Sequence, residues 1–199
     1  HMKLTLAICC ALSATTLLAG GVVETVTDAV VDEARNQAEK AVTDAVEWRA
    51  PVGIVCGYGN NAGDGYVIAL ELKRRGIDCT LLLLGDRFSA DGKYYFDKCA
   101  ESDIPYEFCN GDTDLSLFST LVDCIFGTGF SGDVRGLAKD VLEKYNNTKA
   151  YKVSVDINSG MNGDTGEAEL AVRSDLTVTI GFVKTGLVTE NAGKYVKQL

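Results

Sequence analysis

Apolar residues recur along this chain with two different periods. Val23, Val26, Val30, Ala34, Ala38, Ala41 and Ala45 return at helical spacing, with Glu24, Asp28, Asp32, Glu39 and Asp44 between them. That stripe predicts an amphipathic helix laid against a sheet. From Pro51 onward, short continuous apolar runs alternate with helical stretches. The runs Val52–Cys56, Cys79–Leu84, Tyr106–Cys109, Leu121–Phe126, Tyr151–Ile157 and Leu176–Ile180 predict strands. Tyr66–Arg75, Ala90–Glu101 and Leu137–Tyr145 predict helices, the first stopped by Gly76. Strands apolar on both faces and separated by helices predict a doubly wound α/β fold with a mostly parallel sheet. Two segments follow: residues 1–50 as an apolar stretch and helix packed on the domain, and residues 51–199 as the domain itself.

The stretch Lys3–Gly21 has one positive charge, an apolar run and then small residues. It reads either as a secretory signal or as an N-terminal helix packed on the domain. It is too short and too rich in Ser and Thr to predict a membrane span.

Composition narrows the chemistry. Of 199 residues, 46% are hydrophobic and 24% charged, an ordinary globular balance. The net charge of −9 argues against a nucleic-acid partner, because an acidic surface repels phosphate backbones. The only histidine, His1, lies in a His-Met dipeptide that reads as an expression scar. Histidine triads, histidine zinc sites and histidine general bases are therefore excluded, leaving Asp, Glu, Lys, Tyr and Cys for acid–base work. The seven cysteines form no CxxC pair and mostly fall in apolar runs, as expected of reduced core thiols.

Ligands in doubly wound sheets sit beyond the carboxyl ends of the strands, and three loops there stand out. The first, Gly57-Tyr58-Gly59-Asn60-Asn61-Ala62-Gly63-Asp64-Gly65, fits a dinucleotide fingerprint. The acid expected on a ribose would be Asp78 or Asp86, neither at the usual interval, and Asp64 would repel a pyrophosphate. The loop suits amide and carboxylate contacts to hydroxyls, or a cation; it also reads as a glycine turn with Asn60 as helix cap. The second, Gly127-Thr128-Gly129-Phe130-Ser131-Gly132-Asp133, is the better phosphate cradle, rich in glycine and free backbone N–H groups. Just before it, Asp123 interrupts an apolar strand. A buried carboxylate there needs backbone N–H partners from the adjacent loop or a cation. The third, Asn158–Gly166, follows Asp156, the best placed acid–base candidate at the same rim. Lys184, beyond the last strand, either neutralises phosphate, tunes a carboxylate or stands exposed.

Taken in order, Gly57–Gly65, the run Val122-Asp123-Cys124-Ile125-Phe126-Gly127-Thr128-Gly129, and the run from Val155 through Asp156 and Ser159 to Gly166, with Thr177-Val178-Thr179 and Lys184, closely resemble the YjeF N-terminal domain family of NAD(P)HX epimerases. The resemblance covers about residues 52–196. It implies a Rossmann-like three-layer α/β/α sandwich and epimerisation of the R and S forms of hydrated NADH and NADPH. That dinucleotide would be the substrate rather than a cofactor. A potassium ion, a homodimer, a partner NAD(P)HX dehydratase and a cytoplasmic location come with it. Carried over by position, Asn60, Asn61, Ala62, Gly63 and Asp64 would contact the hydrate. Gly127, Thr128, Gly129, Phe130, Ser131, Gly132 and Asp133 would hold its phosphates. Asp156, with Lys184, would serve the reacting ring, and Asn61, Asp123 and Ser159 would ligate potassium.

The family's usual glycine is Ala62 here, and Asn158 stands where proline is frequent. The first 50 residues lack the family's opening helix, and no kinase-like dehydratase domain is present, as in an excised domain or a stand-alone enzyme. Two other readings stay open: a nicotinamide-dependent oxidoreductase, and a non-catalytic nucleotide- or protein-binding module.

Overall fold

The computed structural model describes residues 37, 38 and 40–199. Of the amphipathic stripe, only its end falls here, as helical residues 37, 38 and 40–45. Ala38 is buried and Ala41 half-buried but Ala45 is exposed, Val42 and Val46 turning inward instead. The earlier part of that helix and the apolar N-terminal stretch lie outside the described residues. No helix among the described residues is long and apolar enough to cross a membrane.

Six strands follow: β1 (Val52–Cys56), β2 (Cys79–Leu83), β3 (Tyr106–Phe108), β4 (Thr120–Cys124), β5 (Tyr151–Val155) and β6 (Leu176–Val178). They form one sheet in the order β3-β2-β1-β4-β5-β6, with every pairing parallel. Three helices connect them: α1 (Asn60–Arg74), α2 (Ala90–Glu101) and α3 (Gly136–Asn147).

Side-chain alternation sorts the core into two layers. Val52, Ile54, Cys56, Leu81, Leu83, Val122 and Cys124 face α1 and α2, meeting Tyr66, Ile68, Leu72, Tyr95 and Cys99. Val55, Leu82, Leu121 and Ile125 face the other way and pack on Val141, Leu142 and Tyr145 of α3. The sheet is therefore covered on both faces, which is why its strands read as unbroken apolar runs. The five cysteines at 56, 79, 99, 109 and 124 are free and buried in these layers.

The helix expected from Tyr66 begins instead at Asn60, with Gly59 as its cap and no side-chain cap bond. What reads as a glycine loop is the first turn of α1, held tightly on the sheet. A Cβ on Gly65 would lie 2.9 Å from Cys56 Sγ and 3.0 Å from Cys124 Cβ. Strands β4, β5 and β6 end before their apolar runs do. Ile125 and Ile157 are buried by packing beyond the ladder rather than within it. The 3-10 turn Leu115–Leu117 had no signal in the apolar pattern.

The chain winds outward in opposite directions from β1 and β4, whose neighbouring carboxyl ends make the switch point where such sheets take ligands.

Candidate active site

Two backbones meet closely at the switch point. A Cβ on Gly57 would overlap the Ile125 carbonyl, so β1 and β4 can approach only with glycine there. This brings Asn61, in the first turn of α1, against the segment leaving β4. Its Nδ2 donates to the Phe126 carbonyl at 2.9 Å. Asn61 is 5% exposed, and its Oδ1 is buried with no hydrogen-bond donor. An unpaired buried amide oxygen costs about 1–3 kcal/mol and calls for an explanation.

Asp123, buried on β4, has four donors. Oδ1 accepts from Ser159 Oγ at 2.5 Å and from the Ile125 amide at 3.3 Å. Oδ2 accepts from Ser154 Oγ and from the Ser159 amide, each at 2.9 Å. Burial pushes its carboxyl above the ordinary range, and the bonds from Ser159, Ser154 and Ile125 oppose that. The partner that the buried acid demanded is thus the loop after β5, along with β5 itself. Ser159 Oγ also accepts from the Phe126 amide at 2.8 Å and lies 3.2 Å from the Phe126 carbonyl.

Asn61 Oδ1, Ser159 Oγ and the Phe126 carbonyl form an oxygen-only donor set beside a buried carboxylate. Such a set fits a hard cation, which would also satisfy the orphaned amide oxygen. Asp123's own lone pairs are filled by protein donors, so it adds charge and order to the set more readily than a direct bond. Among the described residues no cluster of three or more His, Cys, Asp and Glu is present, so the oxygens here are mostly neutral.

Asp156 follows β5 with φ of +71°, a left-handed conformation that costs a non-glycine residue about 1–3 kcal/mol. The Ile157 amide donates to the Val155 carbonyl across it at 2.9 Å, closing a three-residue turn. The Asp156 amide is tied to Val178 O at 2.8 Å. Its Oδ1 accepts from the Ile180 amide at 3.2 Å and from Lys184 Nζ in a close ion pair. Lys184 Nζ is fixed further by the Ile180 carbonyl at 2.8 Å and Thr179 Oγ1 at 3.2 Å. Both side chains are mostly buried, at 18% and 17% exposure. Asp156 Oδ2 carries no hydrogen bond among the described residues, and Asp156 lines the cavity at the switch point.

That cavity has a volume of about 440 Å³. Asn60, Asn61 and Asp64 line it from α1, Gly127 through Phe130 from the loop after β4, and Asp156 from beyond β5. The stacked rings of Phe126 and Phe130, 4.3 Å between centroids, form one wall. Ala62 and Gly63, expected at the ligand, are buried on α1 and do not line it. Ser131, Gly132 and Asp133 turn away instead, into a neighbouring cavity of about 470 Å³, where Asp133 pairs with Arg135 at 2.9 Å. Ser159 lies beneath the site with Asp123, and Lys184 stands behind Asp156.

The composition and motifs did not mark Tyr58, Ile125, Phe126, Ser154, Thr179 or Ile180 individually. Tyr58 and Phe126 sit inside recognised loops, and their wall role follows only once β1 and β4 are neighbours. Thr179 lay in a quoted motif, but its hold on Lys184 depends on the turn after β6.

Residues 22–186 match the family described as YjeF-related protein N-terminus, a span that takes in the stripe upstream of β1. An NAD(P)H-hydrate epimerase of Limosilactobacillus reuteri is 36% identical over 167 residues, covering 79% of this chain and 77% of that one. The NAD(P)H-hydrate epimerase of Oenococcus oeni is 35% identical over 145 residues, 71% of this chain and 68% of its own. The bifunctional NAD(P)H-hydrate repair enzyme Nnr of Thermofilum pendens is 38% identical over 142 residues. That match covers 67% of this chain but spans only 27% of the larger enzyme. The crystal structure of yeast ynu0 superposes with a TM-score of 0.67 at 22% identity, over 76% of this chain and 70% of that one, a likeness of fold. With a family match over residues 22–186 and relatives 35–36% identical over most of both chains, the chain belongs to the YjeF N-terminal domain family.

Proposed function

We propose that the chain is an NAD(P)H-hydrate epimerase that interconverts the R and S epimers of hydrated NADH and NADPH. The observation that carries this reading is the placement of Asp156. One oxygen is anchored by Lys184 and the Ile180 amide, the other carries no hydrogen bond among the described residues, and the residue lines the cavity. An anchored carboxylate with one free oxygen suits transfer of a proton to and from a bound hydroxyl.

In the substrate, the reacting carbon carries a hydroxyl beside a ring nitrogen. The carbon–oxygen bond breaks with its electron pair leaving on oxygen, and the ring-nitrogen lone pair closes an iminium. The Asp156–Lys184 pair supplies, through the carboxylate, the proton that turns the departing hydroxyl into water. A water then adds to the opposite face and returns its extra proton to the Asp156–Lys184 pair. Atoms and charge are restored, and only the configuration changes. The Phe126–Phe130 stack gives the iminium an apolar wall, and the backbone of Gly127–Gly129 lies open to phosphate oxygens. A potassium ion would be held by Asn61 and Ser159 beside Asp123, where it supplies positive charge that offsets the buried carboxylate. The reading includes a cytoplasmic location, where hydrated cofactors form, a homodimer, and a dehydratase acting on one epimer.

The test uses a fresh mixture of R and S hydrated NADH, an S-specific dehydratase with its nucleotide, and potassium. Rapid recovery of NADH beyond the S fraction is the expected result. Recovery no faster than spontaneous epimerisation, from folded protein, rejects the reading in favour of a binding role.

A further inference from the structure

The cavity is lined by Phe130 and by Tyr58, and a dinucleotide whose reacting ring lies against Asp156 can extend past either. Past Phe130 lies the neighbouring cavity, lined by Asp133, Glu167 and Glu169 with Lys194 as its lining cation. Only Asp133 there is neutralised by an arginine, Arg135. That lining repels a ligand carrying several phosphate charges.

The other way crosses β4 and β1 to Tyr58. The Tyr58 hydroxyl donates to the Leu84 carbonyl at 2.7 Å, just past the end of β2. Its ring lies so close to Gly85 that a Cβ there would sit 2.8 Å from Cε1. Over the ring stands Arg87, its guanidinium carbon 4.6 Å from the centroid. Arg87 is exposed and makes no hydrogen bond or ion pair among the described residues. A guanidinium stacked on an aromatic ring is pre-positioned, with its N–H edges available to a phosphate. The end of β2 is also where doubly wound dinucleotide sites read the adenosine ribose, an arginine there accommodating a 2′-phosphate.

We infer that Tyr58 and Arg87 form a subsite for a ribose 2′-phosphate, so that this chain favours the hydrate of NADPH over that of NADH. The inference rests on the epimerase reading for its substrate class. Asp86, exposed beside Arg87, is the opposing group. Its carboxylate would accept from a free ribose hydroxyl and repel a phosphate.

Calorimetric titration of the full chain with ADP-ribose 2′-phosphate and with ADP-ribose tests the subsite directly. A charge-assisted bidentate contact predicts at least about tenfold tighter binding of the phosphorylated probe, with the gap narrowing as salt rises. Arg87→Ala should bring the two affinities to near parity, Arg87→Lys should keep part of the gap, and Asp86→Asn should widen it. Equal affinities in the parent chain, or a gap that survives Arg87→Ala, overturn the inference. A gap that depends on Arg87 in a chain that epimerises neither hydrate upholds the subsite and rejects the epimerase reading. Epimerisation of both hydrates with equal probe affinities does the reverse.

Discussion

Ser159 holds Asp123 twice, by its hydroxyl at 2.5 Å and its amide at 2.9 Å. The two bonds pin the loop after β5 to the middle of the sheet. Because Ser159 Oγ also accepts from the Phe126 amide, the same hydroxyl sets the segment that walls the cavity. Ser159→Ala leaves a buried carboxylate oxygen and a backbone amide short of a partner. The expected cost is about 1–3 kcal/mol, a fall in Tm of roughly 2–4 °C per kcal/mol at this size. Activity should fall beyond what the stability loss explains, since Phe126 and Asn61 shift with it. Thermal unfolding by circular dichroism, run beside the coupled assay, reads both. An unaltered Tm would show that the bond pattern around Asp123 is not holding this loop.

Replacing Asp156 by Asn separates its two roles. Asn tolerates the left-handed backbone at this position and keeps an oxygen for Lys184 and the Ile180 amide, so the fold should persist. It cannot carry a proton, so epimerisation should drop by about a hundredfold or more. Retained affinity for ADP-ribose beside lost turnover is the expected pair of results. Turnover near the parent rate would move the proton chemistry to another group. Lys184→Met should also slow the reaction, since Asp156 Oδ1 then keeps only the Ile180 amide.

Much of this site is legible in the sequence alone. Asp123 stands out as a charge in an apolar strand, and Asp156 as an acid at the end of one. Asp123 lies beneath the switch-point cavity and Asp156 lines it, because β4 stands between β1 and β5. What stayed hidden depends on contact across the sheet. The pairing of Asp156 with Lys184 needs β6 beside β5 and the turn after β6. The orphaned Oδ1 of Asn61 exists only because the glycine-rich stretch is the first turn of α1. Glycine, usually a loop former, here permits close packing. The stretch Ser131–Asp133 reads as cradle by composition, yet Gly132 with φ of +91° turns it toward the neighbouring cavity.

Gly57 and Gly59 therefore differ in what they tolerate, although both belong to the same motif. A Cβ at Gly57 would strike the Ile125 carbonyl, a backbone atom, whereas at Gly59 nothing lies within 4 Å. Gly57→Ala must separate the ends of β1 and β4, at an expected cost of about 1–3 kcal/mol, with loss of activity. Gly59→Ala should change stability by only a few tenths to about 1 kcal/mol. Urea unfolding of the two variants in parallel tests this. Equal losses would mean that flexibility rather than close approach sets the requirement for glycine.

Stability should fall at both ends of the pH scale, for separate reasons. On the acid side, hydrogen bonds from Arg74 and Arg75 hold the Glu71 carboxyl at about 2, against 4.5 when unpaired. The unfolded chain takes up that proton first, so the contribution is present above pH 4.5 and is lost as pH falls toward 2. Glu71→Gln should flatten that limb. On the alkaline side, burial pushes the thiols of Cys79 and Cys109 up to about 11 and that of Cys99 up to about 12, from 9.0. Here the unfolded chain releases protons first, so stability declines as pH rises above about 9. Cys99 is fully buried, with Sγ 3.3 Å from the Tyr66 carbonyl. Its thiol should resist an uncharged alkylating reagent at pH 8 and react once the protein is unfolded, read at the Cys99 peptide by mass spectrometry. Cys99→Ala should lower Tm at neutral pH by leaving a small cavity, while making Tm less sensitive to pH between 9 and 10.5. A parent Tm that stays level across that interval would show that thiol burial does not govern the alkaline limb.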